Sequence, residues 1–156
     1  MLAFKAVHIL TMFAAVAFLV GESTFIAIAI WRGDVRALAA IRRLAGGRPI
    51  VGSALFLVGI GFGLLTVATG GFDFLAGWLI AAYVMVVALF AINALPVVQK
   101  GLLGLIQRAV EAAAGQRPSE EVVSDMAAFR SKIVAVVAIN AALFAGLILD
   151  MVLKPF

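Results

Sequence analysis

Four long runs of apolar residues, separated by polar segments, dominate the pattern along this chain. They lie at about residues 4–31, 50–69, 74–98 and 133–153. A helix needs roughly 20 mostly apolar residues to cross a bilayer, and each run reaches about that length. The runs are continuous and rich in Ala, Leu and Val, whereas barrel strands show a polar residue at every second position. The pattern predicts an all-α fold, a membrane-spanning four-helix bundle, in a single transmembrane domain of residues 1–156.

Composition supports a protein whose main partner is the lipid bilayer. Hydrophobic residues make up 65% of the chain and charged residues 13%, with a mean hydropathy of +1.21, and a water-soluble fold of this size could not hide so much apolar surface. The first run has a basic residue near its start, as signal peptides do, but it is long and carries Glu22. We therefore interpret it as a span.

The basic residues flank the apolar runs and predict the orientation. The positive-inside rule places basic connections in the cytoplasm. Residues 70–73, between the second and third runs, contain no basic residue, whereas the first and third connections carry Arg32, Arg36, Arg42, Arg43, Arg48, Lys100, Arg108, Arg117, Arg130 and Lys132. We expect a multi-pass protein of the bacterial cytoplasmic (inner) membrane with both termini outside. The basic residues form no stripe with interleaved aromatics, which argues against a nucleic-acid partner.

Helical spacing continues beyond the spans on the cytoplasmic side. Apolar positions keep that spacing from Trp31 to the glycine pair at 46–47, which predicts an extension of the first helix. Pro96 should kink or break the third helix. Residues 99–132 are predicted to form a cytoplasmic helical hairpin, in which Ser119 is the N-cap of the last helix.

Few polar residues lie inside the spans, and these are the candidate functional residues. At 100° per residue, His8 and Glu22 fall on one stripe of the first helix, together with Thr11 and Ala15. His8 is either a hydrogen-bonded residue near the helix end or an axial ligand of haem b. Glu22 is either hydrogen-bonded to a neighbouring polar group or part of a proton or cation relay. Asn93 and Asn140 are expected to join helices through their amides.

Gly52, Gly59 and Gly63 recur at spacings of seven and four, which places them on one face of the second helix. Small residues on one face permit close contact with another helix.

The chain has no cysteine, which excludes disulfides and thiol chemistry, and it contains no Ser/His/Asp arrangement, metal-ligand cluster or phosphate-binding loop. No catalytic residue is predicted, which favours a protein that is not an enzyme.

The segments Lys5-Ala-Val-His8-Ile-Leu and Trp31-Arg-Gly-Asp-Val-Arg, with the short turn before Gly77-Trp78-Leu79, resemble small bacterial four-helix integral membrane proteins of unknown function. The histidine is similar to that of the copper-resistance protein D family and of HemJ-type protoporphyrinogen oxidases. In HemJ-like proteins it is associated with haem, so the resemblance implies His8 as a haem ligand. Those proteins also carry a basic residue in the third helix. This chain has none there, which argues against protoporphyrinogen oxidation.

Three functions remain open on the sequence. The first hypothesis is a non-catalytic subunit or accessory protein, as a homo-oligomer or within a larger membrane complex. This interpretation requires no motif beyond those that the sequence contains. Alternatively, the chain is a haem-b or metal-binding redox protein that uses His8. The third hypothesis is a small proton-coupled transporter or channel that uses Glu22.

Overall fold

A computed structural model describes residues 2–44 and 50–153, and within these ranges the chain forms helices and no strand. The elements are α1 (Leu2–Arg32), α2 (Val35–Leu44), α3 (Ile50–Gly70), α4 (Gly77–Ala94), a π-helix (Val97–Leu102), α5 (Leu103–Ala113) and α6 (Ser119–Leu153). Helices α1, α3, α4 and α6 are long and apolar enough to cross a membrane. The prediction of an all-α chain with four such helices is confirmed.

The predicted extension of the first helix is a separate helix. Gly33 adopts a positive φ of 68°, which favours glycine and ends α1. Asp34 then caps α2, because its Oδ1 accepts a hydrogen bond of 2.9 Å from the backbone N–H of Ala37. The glycine pair that was predicted to end this helix, Gly46 and Gly47, lies outside the described residues, as do Arg48 and Pro49.

Regular α-helix stops at Ala94, two residues before Pro96, so α4 is shorter than the predicted run to residue 98. Pro96 has no N–H to donate to the oxygen of Ile92 in the preceding turn, and that oxygen accepts a hydrogen bond of 3.2 Å from the backbone N–H of Leu95. The side-chain amide of Gln99 donates a hydrogen bond of 2.6 Å to the backbone oxygen of Asn93. The chain then continues as the π-helix and α5, and the Gln99 side chain forms a hydrogen bond across the break.

The described residues divide into two compact units, of which the first contains 2–21, 50–89 and 141–153. Its core is formed by Ala15 of α1, Phe56 of α3, Leu89 of α4, and Phe144 and Leu147 of α6. The rings of Phe56 and Phe144 meet edge to face, with centroids 6.0 Å apart, an arrangement that aromatic pairs favour. Each of the four long helices therefore contributes a side chain to this core.

The second unit contains 22–44 and 90–140 of the described residues. Its most buried side chains come from four helices: Ile30, Leu38, Leu105, Val122 and Met126. Apolar side chains of the 99–132 segment thus pack in this unit's core with residues of α2. Gly115 turns the chain after α5 with a φ of 75°, and α6 begins at Ser119 with two acidic residues in its first turn.

Candidate functional site

The glycine face of α3 packs against α1 in the first unit. A Cβ placed on Gly52 would lie 3.0 Å from the side chain of Leu19, and one on Gly59 would lie 2.5 Å from Sδ of Met12. A Cβ on Gly63 would lie 2.9 Å from Cε1 of His8. As the residue number rises along α3 from Gly52 to Gly63, the number of the residue it contacts in α1 falls from Leu19 to His8. The two helices therefore run antiparallel. The glycines make room for the side chains of α1.

His8 joins α1 to α3 by a hydrogen bond. Its Nδ1 lies 2.7 Å from the backbone oxygen of Gly59. A carbonyl oxygen only accepts, so Nδ1 carries the proton and donates it. In the neutral imidazole Nε2 is then an acceptor, and it makes no hydrogen bond to any residue that the structure describes. The structure therefore gives His8 an interhelical bond and leaves one acceptor atom for a further group.

A cavity of about 330 Å³ lies among the helices of the first unit and includes His8 in its lining. Apolar side chains form most of the wall, and five aromatic residues contribute to it: Phe13, Phe72, Trp78, Tyr83 and Phe144. Lys5 and Asp150 also line it. They lie in the first turn of α1 and the last turn of α6, respectively. The cavity thus has charged groups near the helix ends and an apolar remainder, as small-molecule sites do.

Haem b fits this arrangement poorly. The chain contains one histidine, so a single copy supplies one imidazole ligand. Haem also carries two propionates, and among the described lining residues Lys5 is the only cation, accompanied by the carboxylate of Asp150. Within residues 2–44 and 50–153, no three His, Cys, Asp or Glu side chains come together to hold a metal ion.

Asn93 and Asn140 pair with each other in the second unit. The amide nitrogen of Asn93 lies 3.1 Å from Oδ1 of Asn140, and the reverse distance is 3.3 Å. Two amides can satisfy donor and acceptor reciprocally, which suits an apolar environment because unpaired polar groups are costly there. The pair joins α4 to α6 across 47 residues of sequence.

Glu22, also in the second unit, is half-buried. One of the two predictions for it was a hydrogen bond to a neighbouring polar group, but in the described part of the chain Glu22 forms no hydrogen bond or ion pair. It is also not among the residues that line the cavity. Of the stripe predicted for α1, His8 and Thr11 lie beside α3 in the first unit.

Several residues of the site were not singled out by the sequence. Asp150 is one of them: its side chain is partly buried and lines the cavity with Lys5. The spacing of three between Lys5 and His8 was an available signal, because such residues share a helix face. Trp78 was noted only as part of a turn motif. Its ring meets that of Phe72 edge to face, with centroids 6.2 Å apart.

The comparisons with known proteins assign no family to this arrangement. No family model, no curated protein and no solved structure matches the chain.

Proposed function

We propose that this chain is a four-span protein of the bacterial cytoplasmic membrane that serves as a non-catalytic subunit or accessory protein, in a homo-oligomer or a larger membrane complex. One observation carries the proposal: polar groups of the apolar helices are used to join helices. His8 donates to Gly59, and Asn93 and Asn140 bind each other. Side chains engaged in this way stabilise packing and are not arranged as a reaction centre.

The distribution of charge supports the orientation. Ion pairs of the second unit cluster around the connection between α5 and α6, where Arg117 lies 3.3 Å from both Glu111 and Glu121. Arg130 lies over the ring of Trp31 at 5.8 Å, and Arg with Trp is a combination suited to the membrane interface. The connection between α3 and α4 carries no basic residue. We accordingly place the basic connections in the cytoplasm and both termini outside.

Large apolar side chains on the long helices remain exposed in the single chain. They include Phe25 of α1, Val87 of α4 and Leu149 of α6, with exposed fractions of 68%, 66% and 56%. Such surface is covered either by lipid or by another helix, and a partner helix competes with lipid through close packing and hydrogen bonds. Faces of this kind are the contact surfaces that an accessory subunit requires.

A transporter that uses Glu22 and a redox protein that uses His8 have less support. Glu22 is not among the residues that line the cavity, and the cavity suits haem poorly.

The mass of the gently solubilised protein tests the proposal. The chain has a mass of 16.3 kDa. We expect native mass spectrometry of protein extracted from its own membrane to show a multiple of this mass, or this mass together with other subunits. An absorption spectrum of the same sample should lack the Soret band of haem.

Photo-cross-linking in the intact membrane supplies the control. A cross-linking amino acid at the exposed position Val87 should give a discrete larger product, whereas one at Leu89, which is 4% exposed on the same helix, should give none. A single chain of 16.3 kDa in every mild detergent, together with no product from position 87, would show that the protein acts alone.

A further inference from the structure

The cavity of the first unit has features that the proposed subunit role does not use. Its wall combines one imidazole, Lys5 and Asp150 near the helix ends with an apolar, aromatic-rich remainder. A volume of about 330 Å³ lies at the lower end of the roughly 300–1,000 Å³ found for sites of drug-sized ligands. A small amphiphile therefore suits it better than a diacyl lipid.

The tautomer of His8 defines the polar group of such a ligand. Because Nδ1 donates to the oxygen of Gly59 at 2.7 Å, the neutral ring offers Nε2 as an acceptor. A ligand that pairs with this atom must carry a donor. A hydroxyl group can donate, whereas an ether or a ketone cannot.

The lining favours an aromatic body for the ligand. Aromatic rings attract one another in offset or edge-to-face arrangements beyond the gain from area buried. Phe13, Trp78 and Phe144 come from three different helices and line the same cavity, so each of these helices contributes a ring to its wall. Tyr83 and Phe72 add two further rings.

We propose that this cavity binds a membrane-soluble phenol, the chemical class to which quinols belong, with its hydroxyl group donating to Nε2 of His8. Binding leaves the hydrogen bond between His8 and Gly59 in place. The ring of the ligand lies among the aromatic side chains, and its apolar substituents extend along the apolar wall.

Trp78 provides a reporter inside the cavity. The chain has two tryptophans, and Trp31 belongs to the second unit. In the W31F variant, fluorescence therefore comes from Trp78 alone. The probes are 4-bromophenol and its methyl ether, 4-bromoanisole, which carry the same quenching bromine and differ in the hydroxyl donor. Quenching is measured against the concentration of probe in the detergent micelle.

Two pairs of variants separate the cavity from the surrounding detergent. Ala82 lines the cavity, whereas its neighbour Ala81 is exposed and does not. In the W31F background, Ala82→Phe fills the cavity and Ala81→Phe adds the same ring outside it. His8→Asn retains an amide donor near the position of Nδ1 for the Gly59 oxygen but removes the Nε2 acceptor. Circular dichroism establishes that each variant is folded.

We expect saturable quenching in W31F and in the Ala81→Phe variant, and only linear quenching with Ala82→Phe. The phenol should bind roughly three- to tenfold more tightly than the ether, the range expected for one hydrogen bond, and His8→Asn should bring the ratio close to one.

Saturable quenching that persists unchanged with Ala82→Phe would overturn the site. Equal affinities for phenol and ether in W31F, or a ratio that His8→Asn leaves unaltered, would overturn the role of the hydroxyl group. If His8→Asn does not fold, the ratio of phenol to ether affinity in W31F tests the role of the hydroxyl group. The comparison of Ala82→Phe with Ala81→Phe then tests the site. Neither outcome depends on the oligomeric state, so the subunit proposal stands or fails separately.

Discussion

Replacement of Leu105 by alanine should lower the free energy of unfolding by about 2–5 kcal/mol, the range found for such truncations in packed cores. Leu105 is 1% exposed and packs with residues of α1, α2 and α6 in the second unit. The truncation removes apolar contacts and leaves a cavity that these helices can fill only in part. Unfolding in mixed micelles, followed by far-ultraviolet circular dichroism, measures the change.

Leu103 on the same helix is the matched control, because its side chain is 44% exposed. Leu103→Ala removes the same atoms from a position outside the core, so we expect a change within about 0.5 kcal/mol, as for ordinary surface substitutions. Equal destabilisation by the two substitutions would contradict the packing of α5 described here.

Gly63→Ala should destabilise the first unit by about 1–3 kcal/mol, the usual cost of adding a methyl group to a filled interior. The new Cβ would lie 2.9 Å from Cε1 and 3.0 Å from Nδ1 of His8. The imidazole is a rigid ring held by its hydrogen bond to Gly59, so it cannot move aside without weakening that bond. At Gly59 the nearest atom is Sδ of Met12, and a flexible side chain gives way more easily.

Gly61 lies between these two glycines and has no neighbouring atom within 4 Å of an added Cβ. Gly61→Ala should therefore be neutral, or stabilising by up to about 1 kcal/mol through its higher helix propensity. Thermal unfolding of both variants in one detergent compares them directly. A result in which Gly61→Ala destabilises as much as Gly63→Ala would contradict the assignment of the packed face.

The long helices and the glycine face were accessible from the sequence because their signals are local and periodic. Apolar runs identified all four helices, Pro96 marked the end of α4, and the spacing of Gly52, Gly59 and Gly63 placed them on one face. Ser119 with its following acids marked the start of α6. Each of these features depends on residues within a few turns of one another.

Features that depend on contact between distant segments were not accessible in the same way. The partner of Asn93 is 47 residues away in the sequence, and amides, carboxylates and hydroxyls were all reasonable candidates. The hydrogen bond of His8 goes to a backbone oxygen. Every residue has such an oxygen, so the sequence does not indicate which one accepts. The turn at Gly33 did have a local signal, Gly followed by Asp, but the apolar spacing beyond it favoured a continuous helix.

Single-cysteine labelling tests the central proposal, a four-span protein with its basic connections in the cytoplasm. The chain has no native cysteine, so each variant reports one site and the parent is an unlabelled control. We expect a membrane-impermeant maleimide to label Phe74→Cys, between α3 and α4, in intact spheroplasts. It should label Gln116→Cys, between α5 and α6, only after lysis. Labelling of both sites before lysis, or the reverse pattern, would contradict the proposal.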